Sequence, residues 1–136
     1  MKPDLTRVKN SLEKFEQAQE SLERALKTPV VTERDIAGVI KSFEYVFELS
    51  WKTLRRLLEV LGYEENSPRD VYKAAYQAAV LNDEEIWLDI LDARNLTTHT
   101  YSKKTAEALV KKISSEYVVA FRALVDTIVT KVKLLE

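Results

Sequence analysis

The sequence predicts an all-α protein, an antiparallel up-and-down bundle of four long helices and one short one. Apolar residues recur at steps of three or four along nearly the whole chain of 136 residues. Two glycines and three prolines are too few for the tight turns of an all-β fold. Hydrophobic residues make up 46% and charged residues 32%, the balance of a globular chain able to bury a core. No repeat, low-complexity tract or long linker divides the chain, so residues 1–136 are expected to form one helical-bundle domain.

The first helix rests on Leu5, Val8, Leu12, Phe15, Leu22 and Leu26, an amphipathic stripe over roughly Asp4 to Lys27. Pro29 ends it, because proline lacks a donor and disfavours helix in the residue before it. Thr32 with Asp35 has the form of a capping box and opens the second helix. Its stripe runs from Ile36 through Phe43, Phe47, Trp51 and Leu58 to Leu61, and Gly62 stops it. Tyr45, Val46, Leu49 and Leu57 widen that stripe enough to meet several neighbours.

Ser67-Pro68-Arg69-Asp70 combines a cap, a proline at the first helical position and an early acid, and starts a short alanine-rich helix. Asn82 with Glu85 opens the fourth helix by the capping-box logic. The last begins near Ser102 or Thr105 and reaches about Leu134 on Val110, Ile113, Tyr117, Phe121, Leu124, Ile128 and Val132.

The fourth helix carries the chemical signal. Ile86-Trp87 and Ile90-Leu91 are followed, at further steps of four, by Arg94-Asn95 and Thr98-His99. Steps of four drift only about 40° around a helix, so these pairs form one slowly turning inward face. It begins apolar and turns polar and cationic, and inward polar groups need partners or a cleft. Each residue alone also fits a structural role. Arg94 can pair with Asp89, Asp92 or an acid on another helix, His99 can sit at a helix C-terminus, and Tyr101 can pack its ring.

Taken together, they suit phosphodiester cleavage without a metal. Arginine grips phosphate oxygens with parallel hydrogen bonds, and histidine moves protons near neutral pH. Such a reaction wants both a base and an acid, and this chain has one histidine. A homodimer would supply the second.

Other chemistries fit less well. The chain has no cysteine and one histidine, which disfavours a zinc site. It has no glycine-rich phosphate loop and no nucleophile elbow, so no resident cofactor or metal is expected. Asp83, Glu84 and Glu85 are read as the acids that favour a helix start. No apolar run spans a membrane, the first residues lack the apolar segment of a signal peptide, and the absent cysteines suit the cytoplasm. The net charge of −1 gives no overall basic field, so any RNA surface is local. Arg55, Arg56, Arg69, Lys73, Lys103 and Lys104 would supply a positive patch if they converge near Arg94.

Arg94, His99 and Tyr101 match the R-x4-H-x-Y motif of HEPN domains. The blocks FEYVFELSWKTL at 43–54, SPRDVYKAA at 67–75 and WLDILDARNLTTHTY at 87–101 resemble the nucleotidyltransferase substrate-binding and HepT-like proteins. The resemblance covers nearly the whole chain and implies a helical bundle that dimerises. One function it implies is a toxin that cleaves RNA, tRNA included, without metal, using Arg94 and His99 with Asn95 beside the arginine. A small partner nucleotidyltransferase of the MNT type would act as antitoxin by adenylylating Tyr101. The other is a non-catalytic substrate-binding subunit of a two-chain nucleotidyltransferase, like the helical domain of kanamycin nucleotidyltransferase.

Overall fold

The computed structural model describes residues 2–136, all of them in helices or the loops between. The order is α1 (Thr6–Lys27), α2 (Glu33–Val60), α3 (Pro68–Gln77), α4 (Glu84–Leu96), α5 (Lys103–Lys112), a π-turn (Ile113–Tyr117) and α6 (Val118–Leu135). The last three run on as one rod, which gives the expected bundle. None of the described helices is long and apolar enough to cross a membrane.

The start and stop signals act as the sequence indicates. Thr32 Oγ1 accepts from the Asp35 N–H at 3.1 Å, and Asp35 Oδ2 accepts from the Thr32 N–H at 2.9 Å, closing the capping box. Ser67 Oγ accepts from the Asp70 N–H ahead of Pro68. At the end of α2, Gly62 takes φ +96° while the Tyr63 N–H reaches the Leu58 carbonyl and the Gly62 N–H the Glu59 carbonyl. The end of α3 repeats this motif with Ala79 at φ +59°, a conformation that normally selects glycine.

Two boundaries differ from expectation. The cap of α4 is Asp83, whose carboxylate accepts from the Ile86 N–H at 3.3 Å, rather than Asn82. Either residue can cap, and the register puts Asp83 three before Ile86. The other end of α4 comes earlier than its stripe suggests, at Leu96. Thr97 and Thr98 there turn their hydroxyls back to the Arg94 and Asn95 carbonyls, both at 2.7 Å. Those bonds compete with continuation of the helix.

Helix α2 is the central element, packing against all the others, which is why its apolar face is so wide. An aromatic chain crosses the core. Tyr117 stacks on Phe43 at 5.7 Å, Phe43 meets Phe121 at 6.0 Å, Phe121 meets Trp87 at 5.8 Å, and Trp87 meets Tyr72 at 5.6 Å. Such pairs contribute about 0.5–1.5 kcal/mol each beyond burial. Trp87 thereby fixes α4 between α3 and α6, and Arg94 lies two turns further along the same side.

The π-turn departs from the continuous last helix that the stripe predicts. Leu109, Ile113, Tyr117 and Phe121 are all buried at three successive steps of four. An unbroken α-helix would carry the last of them about 120° away from the first. The wider π-turn absorbs that drift and keeps all four on the core. Gln19 of α1, itself buried, donates to the Val118 carbonyl at 2.9 Å just after the turn and so pins it.

Candidate functional site

Arg94 stands in the last turn of α4 with its side chain half-buried, 26% exposed. Its guanidinium carbon lies 5.8 Å from the centre of the Phe47 ring, a cation–π arrangement that holds it against α2. One terminal nitrogen donates to Glu48 Oε1 at 3.4 Å. The Nε is buried and has no hydrogen-bond partner. Of the structural alternatives, an acid on another helix is the one the fold supplies.

Glu48 is the residue that sequence reasoning missed. Its second oxygen accepts from the Trp51 indole at 3.3 Å and lies 3.6 Å from the Lys52 ammonium. Glu48, Trp51 and Lys52 share one face of α2 by their spacing of three and four. That spacing is legible in the block at 43–54, but its partner Arg94 is 46 positions away. The Tyr72 hydroxyl is also part of this neighbourhood. It is fully buried without a partner, and burial, with the Glu48 charge adding, holds its proton far more tightly than usual.

Asn95 is exposed beside Arg94, and His99 is exposed three residues past the helix end. The expected inward face therefore turns out to be a surface. Its apolar half, Trp87, Ile90 and Leu91, is buried as expected, while Asn95, Thr98 and His99 point to solvent. For Thr98 and His99 the early stop at Thr97 is the cause: the chain winds through tighter turns, with the His99 N–H bonded to the Leu96 carbonyl at 3.2 Å, whereas Asn95 is exposed within α4 itself. His99 is thus tethered to the end of α4 through its backbone while its ring stays open.

Tyr101 lies apart from Arg94. Its half-buried ring lines a cavity of about 250 Å³ with Ile36, Ala37, Ile40 and Ala106, and Glu33 and Lys103 at the rim. From Ile40 to the Phe47 that carries Arg94 is about 10 Å along α2.

Three members of the anticipated cationic patch are engaged elsewhere. Arg55 and Arg56 turn to Glu59, at 3.8 and 3.1 Å, and Arg55 lies over the Trp51 ring at 5.6 Å. Lys103 belongs to the Tyr101 cavity. A cavity of about 440 Å³ between α4 and the π-turn is lined by Asp83, Glu85, Asp89, Asp92 and Glu116 against Lys112. None of the sequence-selected site residues lines it, and its charge repels phosphate. Among the described residues no group of three or more His, Cys, Asp or Glu is placed to hold a metal.

Comparison with known proteins agrees with this fold. Residues 5–130 match the family described as nucleotidyltransferase substrate binding protein like. A Haemophilus influenzae protein named probable ribonuclease HepT is 30% identical over 93 residues. That match covers 65% of this chain and 64% of the relative, a little under two thirds of its length. A crystal structure of a Thermus thermophilus protein superposes with a TM-score of 0.73 and 27% identity, over 88% of this chain and 98% of that one. A second structure, from Haemophilus influenzae, is described as revealing the fold of a substrate binding domain of a nucleotidyltransferase. It has a TM-score of 0.62 and 25% identity, over 92% of this chain and 98% of that one. The chain belongs to the nucleotidyltransferase substrate binding protein-like family and is HepT-like in sequence.

Proposed function

We propose that this protein is the toxin of a toxin–antitoxin pair, a metal-independent endoribonuclease acting on tRNA or other RNA. The observation that carries this reading is Arg94, a partly exposed guanidinium engaged by a single hydrogen bond, followed along the chain by the exposed Asn95 and His99. A cation held this way is poised for an incoming phosphate. In the reaction the RNA 2′-hydroxyl attacks its own phosphorus. The bond to the 5′-oxygen of the next nucleotide breaks, leaving a 2′,3′-cyclic phosphate. One His99 takes the 2′-hydroxyl proton, and His99 of the partner subunit in a homodimer returns a proton to the leaving oxygen. Arg94 stabilises charge on the phosphoryl oxygens. Asn95 supplies a polar contact beside it.

Tyr101 is the handle for control. A partner nucleotidyltransferase transfers AMP from ATP to the Tyr101 hydroxyl, with release of pyrophosphate. The Tyr101 ring meets α2 beside Ile40, about 10 Å along that helix from the Phe47 that packs on Arg94, so an attached nucleotide blocks by bulk and charge at the edge of the site.

Cleavage of a labelled tRNA pool in EDTA tests the reading. His99→Ala and Arg94→Ala, each shown to be folded, are expected to lose activity at least about 100-fold. No cleavage by unmodified wild-type protein overturns it. The fold shared with a nucleotidyltransferase substrate binding domain favours a second reading, in which the chain is a non-catalytic subunit presenting substrate to a nucleotidyltransferase. That reading expects no cleavage, and stable association with such a chain.

A further inference from the structure

Arg94 touches Glu48 through one contact of 3.4 Å, at the long end of hydrogen bonding, and leaves its buried Nε unused. A guanidinium binds an oxyanion best through two parallel bonds. Glu48 meets Trp51 at 3.3 Å and Lys52 at 3.6 Å on its own helix, both through Oε2, so that only Oε1 extends to Arg94. The pair is accessible, with 26% and 36% of the two side chains exposed. A carboxylate with one bond to a guanidinium does half of what a phosphate held by two would do. The fully buried Tyr72 hydroxyl, a second donor without a partner, lies within range of the same carboxylate charge.

We propose that Glu48 is a resident stand-in for the RNA phosphodiester. It occupies Arg94 in the free protein and yields it to a phosphate able to take two parallel N–H donors of the guanidinium, while Trp51 and Lys52 remain beside the carboxylate. The inference rests on the reading of Arg94 as the phosphate-binding residue. Its effect on function is selectivity: an anion that offers a single oxygen gains nothing by the exchange, whereas a diester with two free oxygens does.

Binding can be separated from cleavage with a 2′-O-methyl oligoribonucleotide, which lacks the attacking hydroxyl. Titration in EDTA is read by tryptophan fluorescence and by an independent binding curve. Glu48→Gln is expected to bind about two- to five-fold tighter than wild type, the measure of an exposed ion pair removed. Glu44→Gln, the same charge change one turn earlier on α2, is expected to bind as wild type does. Wild-type fluorescence is expected to change on binding, and Trp51→Phe to abolish the change. Should Glu48→Gln fold poorly, Glu48→Asp, too short to reach Arg94, is expected to show the same tightening.

Equal or weaker binding by a folded Glu48 variant, equal tightening by Glu44→Gln, a silent Trp51 or no binding by wild type would each overturn the proposal. Tightening without cleavage of natural RNA would keep the stand-in and remove the ribonuclease. Cleavage without tightening would do the reverse.

Discussion

Two of the arginine–glutamate pairs that join helices in this molecule are built differently. Arg122 of α6 meets Glu23 of α1 with two bonds, Nε at 2.9 Å and a terminal nitrogen at 2.6 Å, and Gln19 adds a third donor at 3.2 Å. Arg94 of α4 meets Glu48 of α2 with one bond of 3.4 Å and leaves Nε idle. Exposure is similar, about a third of each side chain. What differs is saturation. The first arginine grips its carboxylate with two donors, and the second with one. Ion pairs of equal appearance in a sequence can thus be a clamp or a socket, and the number of donors used distinguishes them.

The largest effect should separate the two arginines by activity. Arg94→Lys keeps the charge but loses the planar fork, and is expected to lower RNA cleavage about 100-fold. Arg122→Lys is expected to cleave at the wild-type rate, and a matching loss in both would erase the distinction.

Stability should separate them the other way. Arg122→Ala is expected to cost about 1–2 kcal/mol in denaturant melts, since a two-bond pair with good geometry is lost. Arg94→Ala is expected to cost less than about 1 kcal/mol. The reverse ranking would show that Arg94 is the clamp.

Acid sharpens the contrast further. The bonds from Arg122 hold the Glu23 carboxyl below its ordinary value of 4.5. A carboxyl lowered in the folded state stabilises the fold above its unfolded value and loses that contribution as pH falls through the folded one. The stability gap between wild type and Arg122→Ala should therefore be full at neutral pH and close below about pH 4.5. A gap that widened in acid would contradict the pairing.

The smallest effect supplies a sturdier background for these variants. Ala79 holds φ +59° at the end of α3, so Ala79→Gly should raise stability by about 1 kcal/mol without touching either pair. Thermal melts would show it as a modest rise in Tm.

Local chemistry made much of the fold legible. The Thr32–Asp35 box, Ser67 with Pro68, and Gly62 each act within four residues, and each stands where the pattern puts it. Arg94 was legible too, because a cation interrupts an apolar stripe. Glu48 was not, since its role depends on a helix crossing that brings together positions 46 apart. Nor was the outward turn of His99. Thr97 and Thr98 satisfy the last carbonyls of α4 with their own hydroxyls, and threonine in a periodic stretch reads equally well as helix. The scattering of Arg55 and Arg56 onto Glu59 likewise follows from i,i+3 and i,i+4 neighbours that compete with any distant patch.

The π-turn at Ile113–Tyr117 works as a phase shifter in the last rod. Upstream of it the rod serves α2, and downstream it serves α1 and α2 together. The two halves are dephased by one residue, so no single straight α-helix could satisfy both. Deleting Ser114 or Ser115, two exposed residues in that turn, would rotate one half by about 100° against the other. Substitution at either serine should be nearly silent, while its removal should cost the protein one of its two faces.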